Sequence, residues 1–403
     1  MGYGLIGEKL GHSFSPAIHA LLGNYPYALF PLEREDLPRF MAENTLDGFN
    51  VTIPYKEAVL PFLAQVTARA RRIGSVNTVI RVKNGDLKGD NTDYAGFKRL
   101  LGDGGPFKGK KAIVLGSGGA SKTVRTVLED EGIGPVITVS RRGDVRYGSL
   151  DKHLDAALVV NATPVGMYPL VEAAPLSLSG FQSCKMVLDL VYNPFRTELM
   201  LEAERQHIPC RGGLSMLAAQ AQEAARLWKV CGEKDRVDEI MECILKKTLN
   251  VALIGMPGCG KTRIARLLGK MTGKRVFDID DMVAKESGMA AGDIIAQMGE
   301  ETFRGMETHS LKAAATESGC IISTGGGIVT RPHNLDILRR NSRIVWLRRD
   351  LRLLPLGGRP LSQGRGVEEI YRDRKKLYER WSDFVYDNHD AQATARKIME
   401  DLL

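Results

Sequence analysis

The chain has 403 residues, enough for two or three domains. With 43% hydrophobic and 26% charged residues it is neither a disordered chain nor a small disulfide scaffold, and no apolar run approaches the roughly 18–20 residues of a membrane span. A formal net charge of +8 suits nucleic acid and small anions equally; no aromatic-studded basic stripe or zinc-finger spacing favours nucleic acid, so the motifs must decide.

The opening MGYGLIGEKLG lacks the basic flank and apolar core of a signal peptide, and Ile6 stands where a myristoylation site wants Ser or Thr. Six cysteines, the first at Cys184, form no CxxC pair, which predicts a reducing cytoplasm and no structural zinc. In chain order, GHSFSPAIH places Ser13 and Ser15 two apart on an extended segment, their hydroxyls on one side. His12 and His19 have no third ligand in reach and are read as structural. GFNVTIPYKEAV and KGDNTDYAGF carry Lys56 and Asp93, the ionisable residues best placed to pair. A lysine held by a carboxylate in a cleft can deliver a proton to an alkoxide.

Next, AIVLGSGGASKTVRTVLED reads as a buried strand, a Gly turn and a helix, with Gly116, Ser117, Gly118, Gly119 and Ala120 forming a dinucleotide loop whose last small position is Ser121. The following strand, PVITVS, ends in Ser140, Arg141 and Arg142. Arginine there suits a 2′-phosphate, so NADP is predicted over NAD.

The ordered motifs GHSFSPAIH, FNVTIPYK, GSVNT, GDNTD, LGSGGAS, NATPVGM, DLVYNP and GGLSMLAAQ resemble NADP-dependent shikimate dehydrogenase from residue 1 to about 247. The resemblance implies that Ser13 and Ser15 bind the substrate carboxylate. It implies that Thr52, Lys56, Asn77, Asp93 and Gln220 ring its hydroxyls, with Tyr192 nearby, and that Lys56 with Asp93 is the catalytic pair. It implies NADP contacts from Gly116 to Ala120, Ser140, Arg141, Arg142, Leu190 and Gly213. Two departures stand out: Ser140 and Arg142 replace the family's more usual Asn and Thr, and no aromatic residue precedes Trp228 in the last helix.

A helix ending near Lys247 runs almost directly into a second strand–loop–helix unit, NVALIGMPGCGKTRIARLLGK. Gly255, Gly260, Lys261 and Thr262 spell GxxxxGK[ST]: backbone N–H groups cradle phosphates, Lys261 reaches the β- and γ-phosphates and Thr262 ligates Mg²⁺. Phe277 to Asp280 is read as the end of the next strand, so Asp278 and Asp280 share a face, one for Mg²⁺ and one for an acceptor hydroxyl. Arg304 and Glu307 lie three apart on one helix face. Gly325, Gly326 and Gly327 end a strand and would let a ligand approach the backbone. GGRPL puts Arg359 in a lid, RKKLY puts Arg374 and Tyr378 on a helix, and LRRNSRIVWLRRDLR is read as a solvated face.

The order GMPGCGKT, FDIDD, GEETFR, STGGG, GGRPL, RKKLY resembles shikimate kinase over 249–403. The resemblance implies ATP contacts from Gly258, Cys259, Gly260, Lys261, Thr262, Arg263 and Arg359, with Mg²⁺ at Thr262 and Asp278. It implies that Asp280, Arg304, Gly326, Gly327 and Arg374 hold shikimate, and that Asp280 positions or deprotonates the 3-hydroxyl. The lid is short for the family, and Arg352 is the weak candidate for adenine contact.

The expectation is therefore an α/β chain of two parts. Residues 1–247 form a two-lobed dehydrogenase, with a substrate lobe at about 1–97 and 214–247 and a Rossmann NADP-binding lobe at about 98–213. Residues 248–403 form a P-loop, NMP-kinase-like α/β/α domain. The function expected is NADPH-dependent reduction of 3-dehydroshikimate followed by ATP- and Mg²⁺-dependent phosphorylation of shikimate, with small-molecule partners and neither nucleic acid nor membrane. The alternative is an NAD-using quinate/shikimate dehydrogenase fused to another small-molecule P-loop kinase.

Overall fold

The computed structural model describes residues 2–11, 13–141, 145–354 and 366–403. The chain divides into two compact units, Met1–Ile244 and Leu245–Leu403. The helix Val237–Thr248 crosses this boundary, and the next strand starts at Asn250.

The first unit holds two sheets among its described residues. One is mixed, built from β1 (Tyr3–Gly7), β2 (Tyr27–Pro31), β3 (Gly48–Val51), β4 (Gln65–Val66), β5 (Thr78–Arg81) and β6 (Leu87–Asp90) in the order β2-β1-β3-β5-β6-β4. Strand β1 runs parallel to β2 and β3, whereas β5 is antiparallel to β3 and β6. Ile6, Phe49, Val51, Tyr55 and Val79 form the core of this lobe.

The other sheet is wholly parallel: β7 (Ala112–Leu115), β8 (Val136–Val139), β9 (Leu158–Asn161), β10 (Met186–Asp189) and β11 (Cys210–Gly212), in the order β11-β10-β9-β7-β8. Side chains alternate faces along a strand. Accordingly Ala112 and Val114 of β7 pack with Phe97, Leu100 and Met216 on one face. Ile113 and Leu115 pack with Val187 and Leu199 on the other. Burial on both faces is why this strand reads as an unbroken apolar run. Phe97 and Leu100 belong to the helix Asp93–Leu101, which places Asp93 at its first turn while its far end packs on the nucleotide-lobe sheet.

Among its described residues the second unit has one parallel sheet: β12 (Asn250–Ile254), β13 (Val276–Asp278), β14 (Ile321–Ser323), β15 (Ser342–Arg348) and β16 (Phe384–Asp387), in the order β13-β14-β12-β15-β16. Every residue of β12 is buried. The helix Lys261–Thr272 lays Ile264, Ala265 and Leu268 on the core, the spacing of an amphipathic face, and stops at Gly273 in the left-handed region (φ 72°). Central β12 ends in the P-loop and its neighbour β14 in the three glycines, so both loops open at the carboxyl edge of the sheet.

Two local expectations are corrected. The arginine-rich run 338–352 is not one solvated face, because it contains β15, whose Ile344, Val345, Trp346 and Leu347 are buried. Ser15 is not extended: it opens the helix Ser15–Leu22, with Pro16 in the first turn. Trp228 is buried without an aromatic before it, donating from Nε1 to the Val79 carbonyl (3.0 Å) and stacking on Tyr3.

Candidate active sites

In the first unit the centre of the polar cluster is an ion pair. Lys56 Nζ donates to Asp93 Oδ2 at 2.5 Å, with the lysine side chain 15% and the carboxylate 7% exposed. Asn77 Nδ2 donates to the other oxygen, Oδ1, at 2.9 Å and to Gln220 Oε1 at 3.3 Å. The cluster continues through residues that motif reading passed over. Thr92 Oγ1 lies 2.8 Å from Thr78 Oγ1; Asn50 donates to Thr78 Oγ1 at 3.1 Å; Tyr27 donates to Asn50 Oδ1 at 2.8 Å. Thr78, Thr92 and Asn50 sit inside GSVNT, GDNTD and FNVT, whereas Tyr27 lies on β2 outside these motifs.

Ser13 Oγ accepts the Ser15 backbone N–H at 3.2 Å and is hydrogen-bonded to Tyr192, whose phenol is raised by burial. Thr52 is half-buried against Gly7. Gly119 touches Lys56: a Cβ there would meet Ser75 Oγ at 2.6 Å and Lys56 Cβ at 3.2 Å, so the nucleotide turn abuts the ion pair.

Whether this turn fits a dinucleotide is decided by its empty space. Gly116 has φ 106° and lies against the Ala162 carbonyl, while a Cβ on Gly118 would meet nothing within 4 Å at the start of the helix Gly119–Asp130. That is a helix N-terminus with open access for a pyrophosphate. Ser121, the departure from a small residue, donates its hydroxyl to the Gly116 carbonyl at 2.7 Å and so closes the same turn. Leu190 and Gly213 are pressed together, since a Cβ on Gly213 would overlap the Leu190 carbonyl. Arg141 is exposed and Ser140 buried; Arg142 and His12 lie outside the described residues.

His19 is structural. It stacks on Tyr27 (centroids 3.8 Å apart), meets Tyr25 Oη through Nδ1 at 2.8 Å, and burial lowers its pKa to about 3, leaving it neutral.

The second unit has a cleft of about 440 Å³ whose walls include Lys261, Thr262, Asp280, Arg304 and Arg374, with Gly258, Gly260 and Arg263 on the phosphate side. Thr262 Oγ1 donates to Asp278 Oδ2 at 2.7 Å. A hydroxyl and a carboxylate at a phosphate loop are hard oxygen donors, so this pair fits Mg²⁺ completed by water and phosphate. Lys261 Nζ donates to the Gly255 and Met256 carbonyls at 2.9 and 3.0 Å. The Cys259 side chain is fully buried, and its carbonyl accepts Asn388 Nδ2 at 2.7 Å, which ties the P-loop to the segment after β16.

The strand expected through Asp280 ends at Asp278. Asp278 caps the helix Ile279–Ser287, accepting the N–H groups of Asp280 and Asp281. Asp280 therefore reaches the cleft from the first turn of a helix and not from a strand. Burial pushes its carboxyl above the ordinary range, Lys261 opposing and Asp278 reinforcing the shift.

The three glycines line the cleft and are also packed against its side chains. A Cβ on Gly325 would overlap Glu307 Oε1 and come within 2.9 Å of Asp280 Oδ1; on Gly326 it would meet Pro257 Cγ at 2.5 Å; on Gly327 it would overlap the Arg304 guanidinium. They make room for site side chains. Arg304 is held by Glu307 at 2.8 Å and Glu300 at 3.0 Å. Glu307 is fully buried, which pushes its carboxyl up, and its Oε1 has no hydrogen-bond partner among the described residues. Arg374 Nη1 donates to the Gly326 carbonyl at 3.0 Å. Arg352 pairs with Asp350 at the surface (2.6 Å), and Arg359 lies outside the described residues.

Residues 257–403 match the family model for shikimate kinase, and residues 5–79 that for the shikimate dehydrogenase substrate binding domain. The NADP(+) shikimate dehydrogenase of Clostridium beijerinckii is 36% identical over 251 residues, covering 57% of this chain and 92% of that protein. Shikimate dehydrogenase 1 from Peptoclostridium difficile superposes with a TM-score of 0.57 at 34% identity, over 60% of this chain and 97% of that one. Shikimate 5-dehydrogenase from Thermus thermophilus, solved with NADP(H) and shikimate, gives a TM-score of 0.54 at 35% identity, over 60% and 98%.

Proposed function

Since this chain belongs to the shikimate dehydrogenase family and carries a shikimate kinase domain over residues 257–403, we propose that it catalyses two consecutive reactions. The first unit reduces 3-dehydroshikimate to shikimate with NADPH. The second phosphorylates the shikimate 3-hydroxyl with Mg²⁺ and ATP. The reading is supported by the Lys56–Asp93 ion pair in the first unit and by the cleft that gathers Lys261, Asp280, Arg304 and Arg374 in the second.

NADPH, when bound, supplies the hydride that adds to the carbonyl carbon. Lys56 delivers a proton to the carbonyl oxygen as it becomes an alcohol. Asp93, 2.5 Å away, holds the ammonium in place, and Asn77 in turn holds Asp93. Ser13 and Ser15 offer donor hydroxyls to the substrate carboxylate, with Tyr192 behind Ser13. Arg141 selects the 2′-phosphate of NADP.

Mg²⁺ and ATP, when bound, supply charge neutralisation and the γ-phosphoryl group. Asp280, whose raised carboxyl suits proton transfer, accepts the proton of the 3-hydroxyl and aims its oxygen. Arg304 and Arg374 bind the carboxylate of the acceptor. Lys261 meets the phosphates, and Thr262 with Asp278 holds the metal.

The six cysteines are free, and no helix among the described residues is long and apolar enough to cross a membrane; we assign the enzyme to the cytoplasm. The test supplies the purified chain with 3-dehydroshikimate, NADPH, Mg²⁺ and ATP. Shikimate 3-phosphate should form with loss of NADPH absorbance. Absence of NADPH oxidation refutes the first half, and accumulation of unphosphorylated shikimate refutes the second.

A further inference from the structure

Tyr378 has no place in the phosphorylation chemistry, yet it is fully buried behind Gly326, which lines the kinase cleft. Its hydroxyl donates to the Gly326 carbonyl at 2.6 Å, the same oxygen that accepts Arg374 Nη1 at 3.0 Å. Its ring is stacked on Trp346 of β15 (centroids 5.8 Å apart, 23° between planes), so the hydroxyl is delivered from a rigid base. Tyr378 and Arg374 are four apart on the helix Val367–Trp381 and therefore share a face. On the other side Gly326 is wedged against Pro257 of the P-loop. Burial raises the phenol, so it remains a neutral donor.

A carbonyl oxygen has two lone pairs, so it can take both donors at once and still be held by one if the other leaves. Arg374 is the donor with a second task. Building on the kinase reading above, we propose that Tyr378 is a positioning residue for the acceptor. Its hydroxyl keeps Gly326 in place when Arg374 turns from the Gly326 carbonyl to the substrate carboxylate. Without that hydroxyl the guanidinium has two competing duties. Either it stays on the loop and the carboxylate is poorly held, or it leaves and the half-buried Gly326 carbonyl loses both of its protein donors.

The test is Tyr378→Phe in the full chain, with the parent assayed first. If the parent does not phosphorylate shikimate, the kinase reading itself falls; if it does, the variant judges Tyr378 alone. The expected result is a KM for shikimate raised about three- to tenfold, the scale of one hydrogen bond. The kcat should stay within about twofold and the KM for ATP should not change. An unchanged shikimate KM overturns the proposal, and so does an equal loss in both KM values and kcat, which is what a merely structural tyrosine produces. Should the phenylalanine variant fail to fold, hydrogen exchange on Arg374→Lys decides. Protection at Gly327 and Ile328 equal to the parent's supports Tyr378 as the independent anchor, and loss of that protection overturns it.

Discussion

Replacing Gly327 with alanine should disable the acceptor side of the kinase site without unfolding the domain. Gly327 has φ −99° and ψ 3°, so its backbone tolerates an L side chain. The added methyl overlaps the Arg304 guanidinium. That group is the free end of a flexible chain and can move, but only by leaving its 2.8 Å ion pair with Glu307. The expected damage is therefore to position. One charge-assisted contact to the acceptor carboxylate, about 1.5–3 kcal/mol, is lost. At about 1.36 kcal/mol per decade this is roughly a ten- to hundredfold fall in kcat/KM for shikimate. ADP release at varied shikimate measures it, with the KM for ATP and the rate of 3-dehydroshikimate reduction as internal controls, both unchanged. A kcat/KM within twofold of the parent, in a protein that melts like the parent, refutes the argument that the glycine exists to seat Arg304.

Gly118→Ala is the counterpart in open space: the methyl meets nothing within 4 Å, so thermal unfolding should not change, yet it occupies the approach to the helix N-terminus. Its KM for NADPH should rise several-fold in initial-rate assays, and an unchanged value would place the dinucleotide elsewhere. Lys56→Ala should lower reduction by about 10²–10⁴ while shikimate phosphorylation proceeds normally; retention of most of the reductase rate would remove Lys56 from proton transfer. A pH effect follows from Asp189 at the end of β10. This carboxylate accepts Asn161 Nδ2 (2.9 Å), Val191 N (3.0 Å) and Thr197 Oγ1 (2.6 Å), but complete burial outweighs these bonds and raises its pKa from 3.8 to about 6. A carboxyl raised on folding favours the folded state most while protonated, below about pH 4. Its contribution falls as pH rises from about 4 to 6 and is flat above, a span of about 3 kcal/mol. Denaturant unfolding of Asp189→Asn should therefore show a stability difference from the parent that grows over that window, and a pH-independent difference would refute the assignment.

What could be read along the chain was whatever its chemistry keeps local. The P-loop is a strand, a turn and a helix in succession, and its lysine and threonine follow the turn directly, so the placement of Lys261 and Thr262 at the cleft was legible. The second strand–turn–helix unit, at residues 112–130, was legible for the same reason. Asp278 and Asp280 were found, but their geometry was misread, because a capping aspartate at a strand end looks like one more strand residue until the helix beyond it is seen.

Other features depended on partners that sequence distance hides. Asn77 meets Gln220 across 143 residues, and Tyr378 meets Gly326 across 52. Thr78, Thr92 and Asn50 are ordinary polar residues until the sheet puts them in one buried chain, where each must find a partner. The three glycines were visible as a motif, but only the packed structure shows that Glu307, Pro257 and Arg304 occupy the volume their side chains would need. Sequence thus determined which chemical groups this protein brings to its sites, because motifs of that kind are set by neighbouring residues. Tertiary structure alone decided how those groups are held, because close packing leaves no room for a side chain, or for an unpaired polar atom, that the surrounding elements have not accommodated.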